Sequence, residues 1–528
     1  MRRFHSYGPV DSRFHFGVER RDLVETCKAQ LVGDPGEGGH FFTIWGARQV
    51  GKTWLMRRAI EEIRAEHGDR FLVGHLSMQG AIVEKEEETP ILFKYVTQRL
   101  KMSLGVETRA LSSWNDLGML FSKEERVFDR PVILLIDEFD SLLPQHIDSF
   151  VKVFRDIYLE RERFWLHGLA LIGVRAVLGL DSPRGSPFNV QRSLRVGNLT
   201  REEVVEMFDQ YRAQSGQAVE PAVVEQVYSS TRGQPGLVGW LGELLTEKYN
   251  PNPRQPLTID HWRGIYNRAC FVEPNNTVLN LSKKARGPHR DRVMELFGNT
   301  NVPFTFEAEW CNFLYLNGII DQEETTDEQG QQVFVCRFSS PFVQLRLYHS
   351  LTSDLFDRPN RPLPLDPLDT LADVYEGDEV RAHLLLDRYK AFLGRVKASG
   401  RSLFADEPRR ADLGLREAVG HFHLFAWLRD AVGRRCSVHP EFPTGNGKVD
   451  LFLRCKTGSA VIEVKSFTTA GDLPMAREQT ARYAASQSLP TATLALFVPS
   501  DDPAVLSALS SEEVLAGVRV RTVAIGWT

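Results

Sequence analysis

Residues 40–63 have the sequence HFFTIWGARQVGKTWLMRRAIEEI. The apolar run FFTIW predicts a buried strand, and WLMRRAIEEIRAEHG predicts a helix. Between them the pattern GxxxxGK[ST] is filled by Gly46, Ala47, Arg48, Gln49, Val50, Gly51, Lys52 and Thr53. The backbone amides of such a loop and the following helix N-terminus form a positive concavity for phosphate, which the Lys52 ammonium completes. This stretch therefore predicts a nucleotide site in an α/β fold.

A second motif follows about 85 residues later in RPVILLIDEFDSLL, residues 130–143. Its continuous apolar run is typical of a strand buried on both faces of a parallel sheet. The run ends in Asp137 and Glu138. We expect Thr53 and Asp137 to hold Mg²⁺, and Glu138 to polarise the water that attacks ATP. The two motifs together predict ATP and Mg²⁺ as cofactors.

Residues 16–348 resemble the AAA-like ATPases of the signal-transducing STAND type. The segment FGVERRDLV resembles the family's segment that borders the nucleotide base, and TRGQPGLVGW carries a GxP motif at Gly233 and Pro235. The resemblance implies that Pro235 faces the nucleotide from a helical lid, whereas a plain helix cap is the alternative. Arg175 stands where a sensor residue is expected, and a surface arginine is the alternative.

Residues 304–351 predict a helix, an acidic hairpin, a strand and a helix, which is a winged-helix outline that the resemblance supports. Such domains bind DNA or transmit a nucleotide state to neighbouring domains. Acidic residues in the wing argue against its contact with phosphate: Glu323, Glu324, Asp327 and Glu328. Upstream lies a basic cluster that is either a phosphate-contacting patch or a solvated face: Lys283, Lys284, Arg286, Arg290 and Arg292.

A proline-rich stretch, residues 357–371, predicts a linker between two functional halves, because proline continues neither helices nor central strands. Beyond it, LREAVGHFHLFAWLRDAV predicts an amphipathic helix. KVDLFLRCKTGSAVIEVKSF then predicts a hairpin. A two-residue turn at Thr457 and Gly458 sets Asp450 opposite Lys465 and diagonal to Glu463. Two carboxylates and an ammonium on one face suit metal-assisted phosphodiester cleavage.

This arrangement resembles the PD-(D/E)XK nuclease superfamily, although Val449 replaces the proline of the family name. The resemblance implies catalytic roles for Asp450, Glu463 and Lys465. Gln479 and Tyr483 resemble the QxxxY motif beside the active site. Glu417 resembles the first-helix carboxylate, so Glu417, Asp450 and Glu463 are the implied metal ligands. Glu441 either supports the metal shell or is a loop charge, and a degenerate, merely structural nuclease fold is the alternative.

Composition excludes several classes of protein. The chain has 528 residues, a formal net charge of -5 and 42% hydrophobic residues, so it is neither uniformly basic nor disordered. No window approaches the ~20 consecutive apolar residues of a membrane span, and the N-terminus lacks a signal-peptide apolar core. The six cysteines lie far apart without CxxC spacings, which favours a reducing cytoplasm.

The predicted fold class is α/β, and the predicted domains follow in chain order. They are a P-loop ATPase core at 1–200, a helical lid at 201–255, a winged helix at 256–352, a proline-rich linker and helical segment at 353–405, and a restriction-endonuclease-like domain at 406–528. We expect ATP to control a Mg²⁺-dependent nuclease acting on nucleic acid, with DNA favoured over RNA. By analogy, such fusions suit defence against foreign DNA, and a homo-oligomer fits this class. The alternative is an ATP-dependent DNA-binding or regulatory adaptor that does not cleave.

Overall fold

The computed structural model describes the chain in two compact units, Met1–Val272 and Glu273–Thr528. The residues outside the description are 1, 35–37, 83–84, 86–87, 108, 174–192, 300, 327–329, 357–362, 377–378, 405–406, 408, 411, 413, 434, 442–449 and 457. Arg175, Asp327 and Glu328 therefore lie outside the described residues. The finer domain boundaries predicted from the sequence stay predictions.

The first unit is built on a five-stranded parallel sheet. Its strands are β1 (Phe41–Trp45), β2 (Leu72–Ser77), β3 (Val132–Asp137), β4 (Leu166–Gly173) and β5 (Ser193–Arg195). They lie in the order β2-β3-β4-β1-β5, and every neighbouring pair is parallel. The parallel sheet predicted from the two apolar runs is thus present, with β1 and β3 separated by β4.

Helices cover both faces of this sheet. They are α1 (Arg21–Val32), α2 (Lys52–His67), α3 (Thr89–Leu104), α4 (Trp114–Met119) and α5 (Pro144–Leu159). Strand β3 is buried throughout because its side chains alternate between two cores. Leu134 and Ile136 pack with residues of α3, α4 and α5, whereas Ile133 and Leu135 pack with residues of α1 and α2. An apolar run without alternation is what a strand between two cores requires.

Four helices follow the sheet: α6 (Arg201–Ser215), α7 (Pro221–Thr231), α8 (Pro235–Glu243) and α9 (Ile259–Phe271). We call α6 to α8, which lie within the predicted lid at 201–255, the lid helices. The first of them begins with a capping box, in which Thr200 and Glu203 each satisfy the other's backbone amide. The last turns of α8 continue as a π-helical segment, Leu244–Lys248.

The second unit starts with helices and a two-stranded hairpin. These elements are α10 (Asn276–Ala285), α11 (Arg290–Leu296), α12 (Glu309–Leu316), β6 (Ile320–Thr326), β7 (Gln332–Phe338) and α13 (Pro341–Phe356). Strands β6 and β7 are antiparallel. The order of helix, hairpin and helix is that of the winged-helix outline, which stays a prediction as a domain assignment.

The remainder of the second unit contains a mixed six-stranded sheet. The helices and strands of this part of the chain are β8 (Tyr375–Glu376), β9 (Glu379–Val380), α14 (Ala382–Ala398), α15 (Glu417–Val432), β10 (Cys436–Glu441), β11 (Asp450–Cys455), β12 (Ser459–Ser466), α16 (Leu473–Ser486), β13 (Thr491–Val498), α17 (Pro503–Leu509), β14 (Ser511–Leu515) and β15 (Val518–Gly526). Strands β8 and β9 form a separate pair. The sheet order is β10-β11-β12-β13-β15-β14. Strands β12, β13 and β15 are parallel, and the other pairs are antiparallel.

Helix α15 lies in the core of the second unit. The sequence predicts an amphipathic helix here, and this prediction is wrong. Every residue from Ala418 to Leu428 is buried, because α13 and α14 pack on it as well as the sheet. The hydroxyl of Tyr348 on α13 lies 2.7 Å from Nδ1 of His421. His423 instead stacks against Phe404. A helix enclosed on all sides loses the polar stripe that marks a surface helix.

Elements on either side of the proline-rich stretch pack together, because α13 before it packs on α15 after it. The predicted domain boundary at this stretch stays a prediction. The carbonyl of Pro364 accepts hydrogen bonds from Nε1 of Trp427 at 2.9 Å and from Arg395 at 3.2 Å. Proline prevents regular structure without preventing packing, so composition alone does not reveal a domain boundary.

One pair of cysteines departs from the expectation of a reducing compartment. Cys436 and Cys455 form a disulfide, with a Cα–Cα distance of 4.2 Å and a sequence separation of 19. They are directly opposite each other in the antiparallel pair β10–β11. Long sequence spacing gave no sign of this contact, because strand pairing brings distant residues together.

None of the helices in the described part of the chain has both the length and the apolar character required to cross a membrane.

Replacing Trp427 should destabilise the second unit strongly. Its side chain is fully buried and packs against Tyr389 and Phe392. We expect Trp427→Ala to lower the free energy of unfolding by about 3–5 kcal/mol, since it leaves a large cavity. Urea unfolding followed by circular dichroism measures this change. The exposed Arg429 on the same helix is the control, and Arg429→Ala should change stability by less than about 0.5 kcal/mol. Equal midpoints for both variants would contradict the core position of α15.

Candidate functional site

The predicted phosphate loop connects β1 to α2. Gly51 precedes the helix with a φ of 100°, and no side chain caps the helix N-terminus. Such a φ favours glycine, because a Cβ would be strained there. The uncapped amides of the first turn therefore remain available to an anion.

Lys52 is held against this loop. Its ammonium donates hydrogen bonds to the carbonyls of Gly46 at 2.9 Å and Ala47 at 2.8 Å. Desolvation lowers the pKa of Lys52, and the carboxylates of Asp140, Glu138 and Asp137 oppose that shift. The Lys52 ammonium can exchange these two backbone carbonyls for phosphate oxygens. The loop therefore fits a nucleoside triphosphate.

Thr53 and Asp137 meet although they come from different elements. The hydroxyl of Thr53 donates to Oδ2 of Asp137 at 2.7 Å, and the backbone amide of Glu138 donates to Oδ1 at 2.9 Å. Asp137 is only 6% exposed. A hydroxyl and a carboxylate at this distance are oxygen ligands of the kind Mg²⁺ takes beside phosphates, so the donor set fits the ion.

Glu138 lies at the mouth of the site in a left-handed conformation, with a φ of 54°. Non-glycine residues with positive φ are uncommon and are held by their surroundings. The pKa of Glu138 is raised first by desolvation, and next by the neighbouring carboxylates of Asp137 and Asp140. A raised pKa brings a carboxylate closer to the range in which it accepts a proton from water.

The lid helices reach the loop through residues beside Pro235. Pro235 is the first residue of α8, a position that fits both the nucleotide-facing motif and the helix cap, so its role stays a prediction. Gln234 accepts from the amide of Leu237 through Oε1 and donates from Nε2 to the carbonyl of Arg48 at 3.3 Å. A Cβ on Gly236 would collide with the side chain of Gln49. The sequence motif thus located the contact, but the side chain that makes it is Gln234.

Arg20 also contacts the loop, and the sequence motifs do not predict this contact. Its guanidinium donates to the carbonyls of Val50 at 3.4 Å and Gly197 at 3.1 Å. Arg20 lies in the segment FGVERRDLV, so its place near the nucleotide was predicted but its contacts were not.

The second candidate site lies at one end of β12. The Nζ atom of Lys465 is 2.9 Å from Oε1 of Glu463 and 3.2 Å from Oε1 of Glu417. Glu463 is 1% exposed, and the partner of its Oε1 is the Lys465 ammonium. Carboxylates bind divalent cations as hard ligands, so Glu463 and Glu417 beside this lysine are suitable ligands for such an ion.

Asp450 is paired with a different residue from the one predicted. The amide of Cys455 donates to the carbonyl of Gly458, so the turn lies one residue earlier than predicted. Asp450 is therefore directly opposite Glu463, and Lys465 is diagonal to it. Directly opposed positions in antiparallel strands share a face. Glu441 is opposite Asp450 on the other side, and the residues between them, 442–449, lie outside the described part.

Thr480 of α16 contacts this site. Its hydroxyl donates to Oε2 of Glu463 at 2.7 Å, and the side chain is buried. Its neighbour Gln479 is half-buried. Tyr483 packs on the apolar cluster that includes Val461. The roles of Gln479 and Tyr483 stay predictions. The sequence does not show which face of α16 is turned toward Glu463, so it does not identify Thr480 as a contact.

The basic cluster upstream of the hairpin is largely occupied by contacts within the second unit. Lys284 donates to the side chain of Asn317, and Arg286 to the carbonyl of Ser350. The other pairs are Arg290 with Glu407 and Arg292 with Glu295. In the acidic hairpin, Glu323 pairs with Arg337 and Glu324 accepts from Gln332. These contacts support neither a free phosphate patch nor a fully solvated face.

Among the described residues, one carboxylate group has metal-like spacing, and it consists of Glu25, Glu62 and Glu66. The Nζ atom of Lys28 lies within 3.1 Å of all three carboxylates. The ammonium therefore neutralises the cluster, and we assign it no metal.

Comparisons with known proteins are consistent with the first site. Residues 5–250 match the family model of the AAA-like domain. A Walker-type ATPase of Pyrococcus abyssi is similar at 14% identity and a TM-score of 0.43, covering 65% of this chain and 99% of that chain. Cdc6p of Pyrobaculum aerophilum is similar at 15% identity and 0.38, covering 66% and 97%. The ORC1 protein of Aeropyrum pernix, solved in complex with DNA, is similar at 13% and 0.32, covering 67% and 94%.

No curated protein matches the chain, and structural likenesses with TM-scores this low carry no argument. The identification depends on the family model and on the site itself. The loop between β1 and α2, the Thr53–Asp137 contact and the parallel sheet all lie within the matched residues. Residues 5–250 are therefore an AAA-like domain of the P-loop ATPase type.

Proposed function

We propose that this protein is an ATP-hydrolysing switch that controls a Mg²⁺-dependent nuclease of the PD-(D/E)XK type in its second unit. The observation that carries the nuclease part is the grouping at the end of β12. There Lys465 lies within 3.2 Å of both Glu463 and Glu417, and Asp450 is directly opposite Glu463. The first substrate to test is DNA. A defence role and a homo-oligomer stay expectations from the resemblance.

In the ATPase domain, each residue has a role that its position supports. Lys52 and the α2 amides bind phosphate oxygens, and Thr53 with Asp137 holds Mg²⁺, which neutralises charge on the phosphates when bound. Glu138 accepts the proton of the attacking water. Its raised pKa makes the carboxylate a stronger base than an ordinary glutamate. Hydrolysis should therefore fall as the pH drops through that raised pKa.

In the second unit, carboxylates and the lysine divide the work of phosphodiester cleavage. Asp450, Glu463 and Glu417 hold Mg²⁺, which acts as a Lewis acid on the phosphate when bound. Thr480 fixes the orientation of Glu463 through its hydrogen bond. Lys465 orients the attacking water and stabilises negative charge on the phosphate oxygens. The alternative adaptor would keep the same fold and bind DNA or a partner without cleavage.

Lys52→Ala should abolish ATP binding, because the loop loses the ammonium that binds the phosphate oxygens. Titration with a fluorescent ATP analogue measures this loss. Arg57 is an exposed cation on the same helix, and Arg57→Ala should bind ATP like the wild type. Undiminished binding by Lys52→Ala would show that the loop is not the nucleotide site.

Glu138→Gln should bind ATP but hydrolyse it about 100-fold more slowly, since the amide accepts no proton. For the wild type, the rate of phosphate release should fall as the pH drops through the raised pKa of Glu138, above the pH at which an ordinary glutamate protonates. The residual rate of Glu138→Gln should not show this dependence. The same pH profile in both proteins would assign the base to another residue.

Glu463→Gln and Asp450→Asn should each reduce Mg²⁺-dependent DNA cleavage by about 100-fold or more, because each removes a charged metal ligand. Lys465→Ala should slow cleavage to a similar degree while it leaves Mn²⁺ binding, measured by calorimetry, intact. The exposed Glu478 on α16 is the control, and Glu478→Gln should cleave normally. Absence of cleavage of plasmid, linear and single-stranded DNA by the wild type would favour the adaptor.

Coupling between the two sites makes a separate prediction. If ATP controls the nuclease, Lys52→Ala should change the cleavage rate at an ATP concentration that saturates the wild type, although Lys52 lies in the other unit. Matching cleavage rates for this variant and the wild type across a range of ATP concentrations would mean two independent enzymes on one chain.

A further inference from the structure

Arg20 connects three parts of the ATPase domain that the nucleotide site needs together. It is the residue before α1, and its backbone is left-handed with a φ of 42°. A residue with a Cβ adopts this conformation only where its surroundings hold it. Its side chain is 14% exposed, so the guanidinium is largely enclosed by the groups it contacts.

The guanidinium contacts the phosphate loop, the segment after β5 and the first lid helix. It donates to the carbonyls of Val50, Gly197 and Asn198 at 3.4, 3.1 and 3.2 Å. Its Nε lies 3.3 Å from Oε1 of Glu203. The other oxygen of Glu203 accepts a hydrogen bond from the amide of Thr200 at 2.8 Å. Thr200 is the residue that caps the start of α6. One cation thus joins the loop to the base of the lid helices.

The contact with Val50 has a consequence for the loop amides. The carbonyl of Val50 and the N–H of Gly51 belong to one planar, trans peptide unit, so they point in opposite directions. Because Arg20 holds the carbonyl of Val50 toward its own enclosed guanidinium, the N–H of Gly51 is directed to the opposite side of the loop. Loop amides that face away from the protein are those that bind phosphate in such sites.

We propose that Arg20 is a positioning residue for nucleotide binding, which orients the Val50–Gly51 peptide unit toward the phosphates and fixes the loop against the lid helices. This inference rests on ATP binding at the loop. Arg20 itself touches no phosphate in this proposal, and its effect passes through the backbone. A purely structural role, by contrast, would lower the stability of the domain without changing its affinity for nucleotide.

The test compares Arg20→Gln with Arg21→Gln. Arg21 is the next residue, is 63% exposed and pairs with Glu19, so it is a matched control. Dissociation constants for ADP and ATP are measured by titration with full-length protein. We expect Arg20→Gln to bind both nucleotides about tenfold more weakly, as loss of one loop hydrogen bond implies. Arg21→Gln should bind like the wild type.

A second variant keeps the proposal testable if Arg20→Gln folds poorly. Glu203→Gln removes the ion pair with Arg20 but retains an amide that can close the capping box. It should weaken the binding of ADP and ATP in the same direction, by a smaller factor. The shift in melting temperature on adding nucleotide should shrink in both variants, whatever their melting temperatures without it.

Three results would count against the proposal. Wild-type affinities for Arg20→Gln would overturn it, and so would an equal loss in Arg21→Gln. For a poorly folding Arg20→Gln, unchanged affinity in Glu203→Gln would overturn it as well. A wild type that binds neither nucleotide would instead remove the nucleotide site itself, so the two failures are distinguishable.

Discussion

The hydrogen bond between Thr53 and Asp137, 2.7 Å long, joins the two motifs on which the ATPase domain depends. Thr53 lies at the start of α2 and Asp137 at the end of β3, and β4 lies between β1 and β3 in the sheet. Parallel strands bring their carboxyl ends to one edge, where ligands bind in open α/β sheets. The contact therefore requires the whole strand order, and that order depends on the two cores that bury β3 from both faces.

A different constraint organises the second unit. Helix α15 is enclosed by its neighbours, and its first residue is Glu417, which contacts Lys465. A Cβ on Gly298, just after α11, would lie 3.5 Å from the Cβ of Glu417. Arg416 lies 3.6 Å from Glu295 on α11. Helix α11 thus lies beside the second candidate site. A shift of α11 would displace Glu417, because the atoms between them are in packing contact.

Several expectations failed for reasons that strand and helix packing explain. The hairpin turn lies one residue earlier than predicted, so Asp450 is opposite Glu463. Both registers place positions 450 and 463 on one face of the hairpin, so the error does not change the predicted grouping, whose role stays a prediction. Thr480 of α16 contacts Glu463 and was not predicted, whereas the role of its neighbour Gln479 stays a prediction. The rotation of a helix about its axis depends on what it packs against, and residue spacing along the helix does not contain that information.

The sequence by itself determined the nucleotide loop, the apolar strand that ends in Asp137, and the positions of Glu463 and Lys465 on one strand. Each is encoded by neighbouring residues, because a short loop or a strand with period two has a local geometry. Only the tertiary structure decided that Arg20 and Gln234 contact the loop, that Cys436 meets Cys455, and that α13 and α15 share one core. These contacts join residues distant in sequence, and they form because burial of apolar surface selects one packing of the elements among many that local patterns allow.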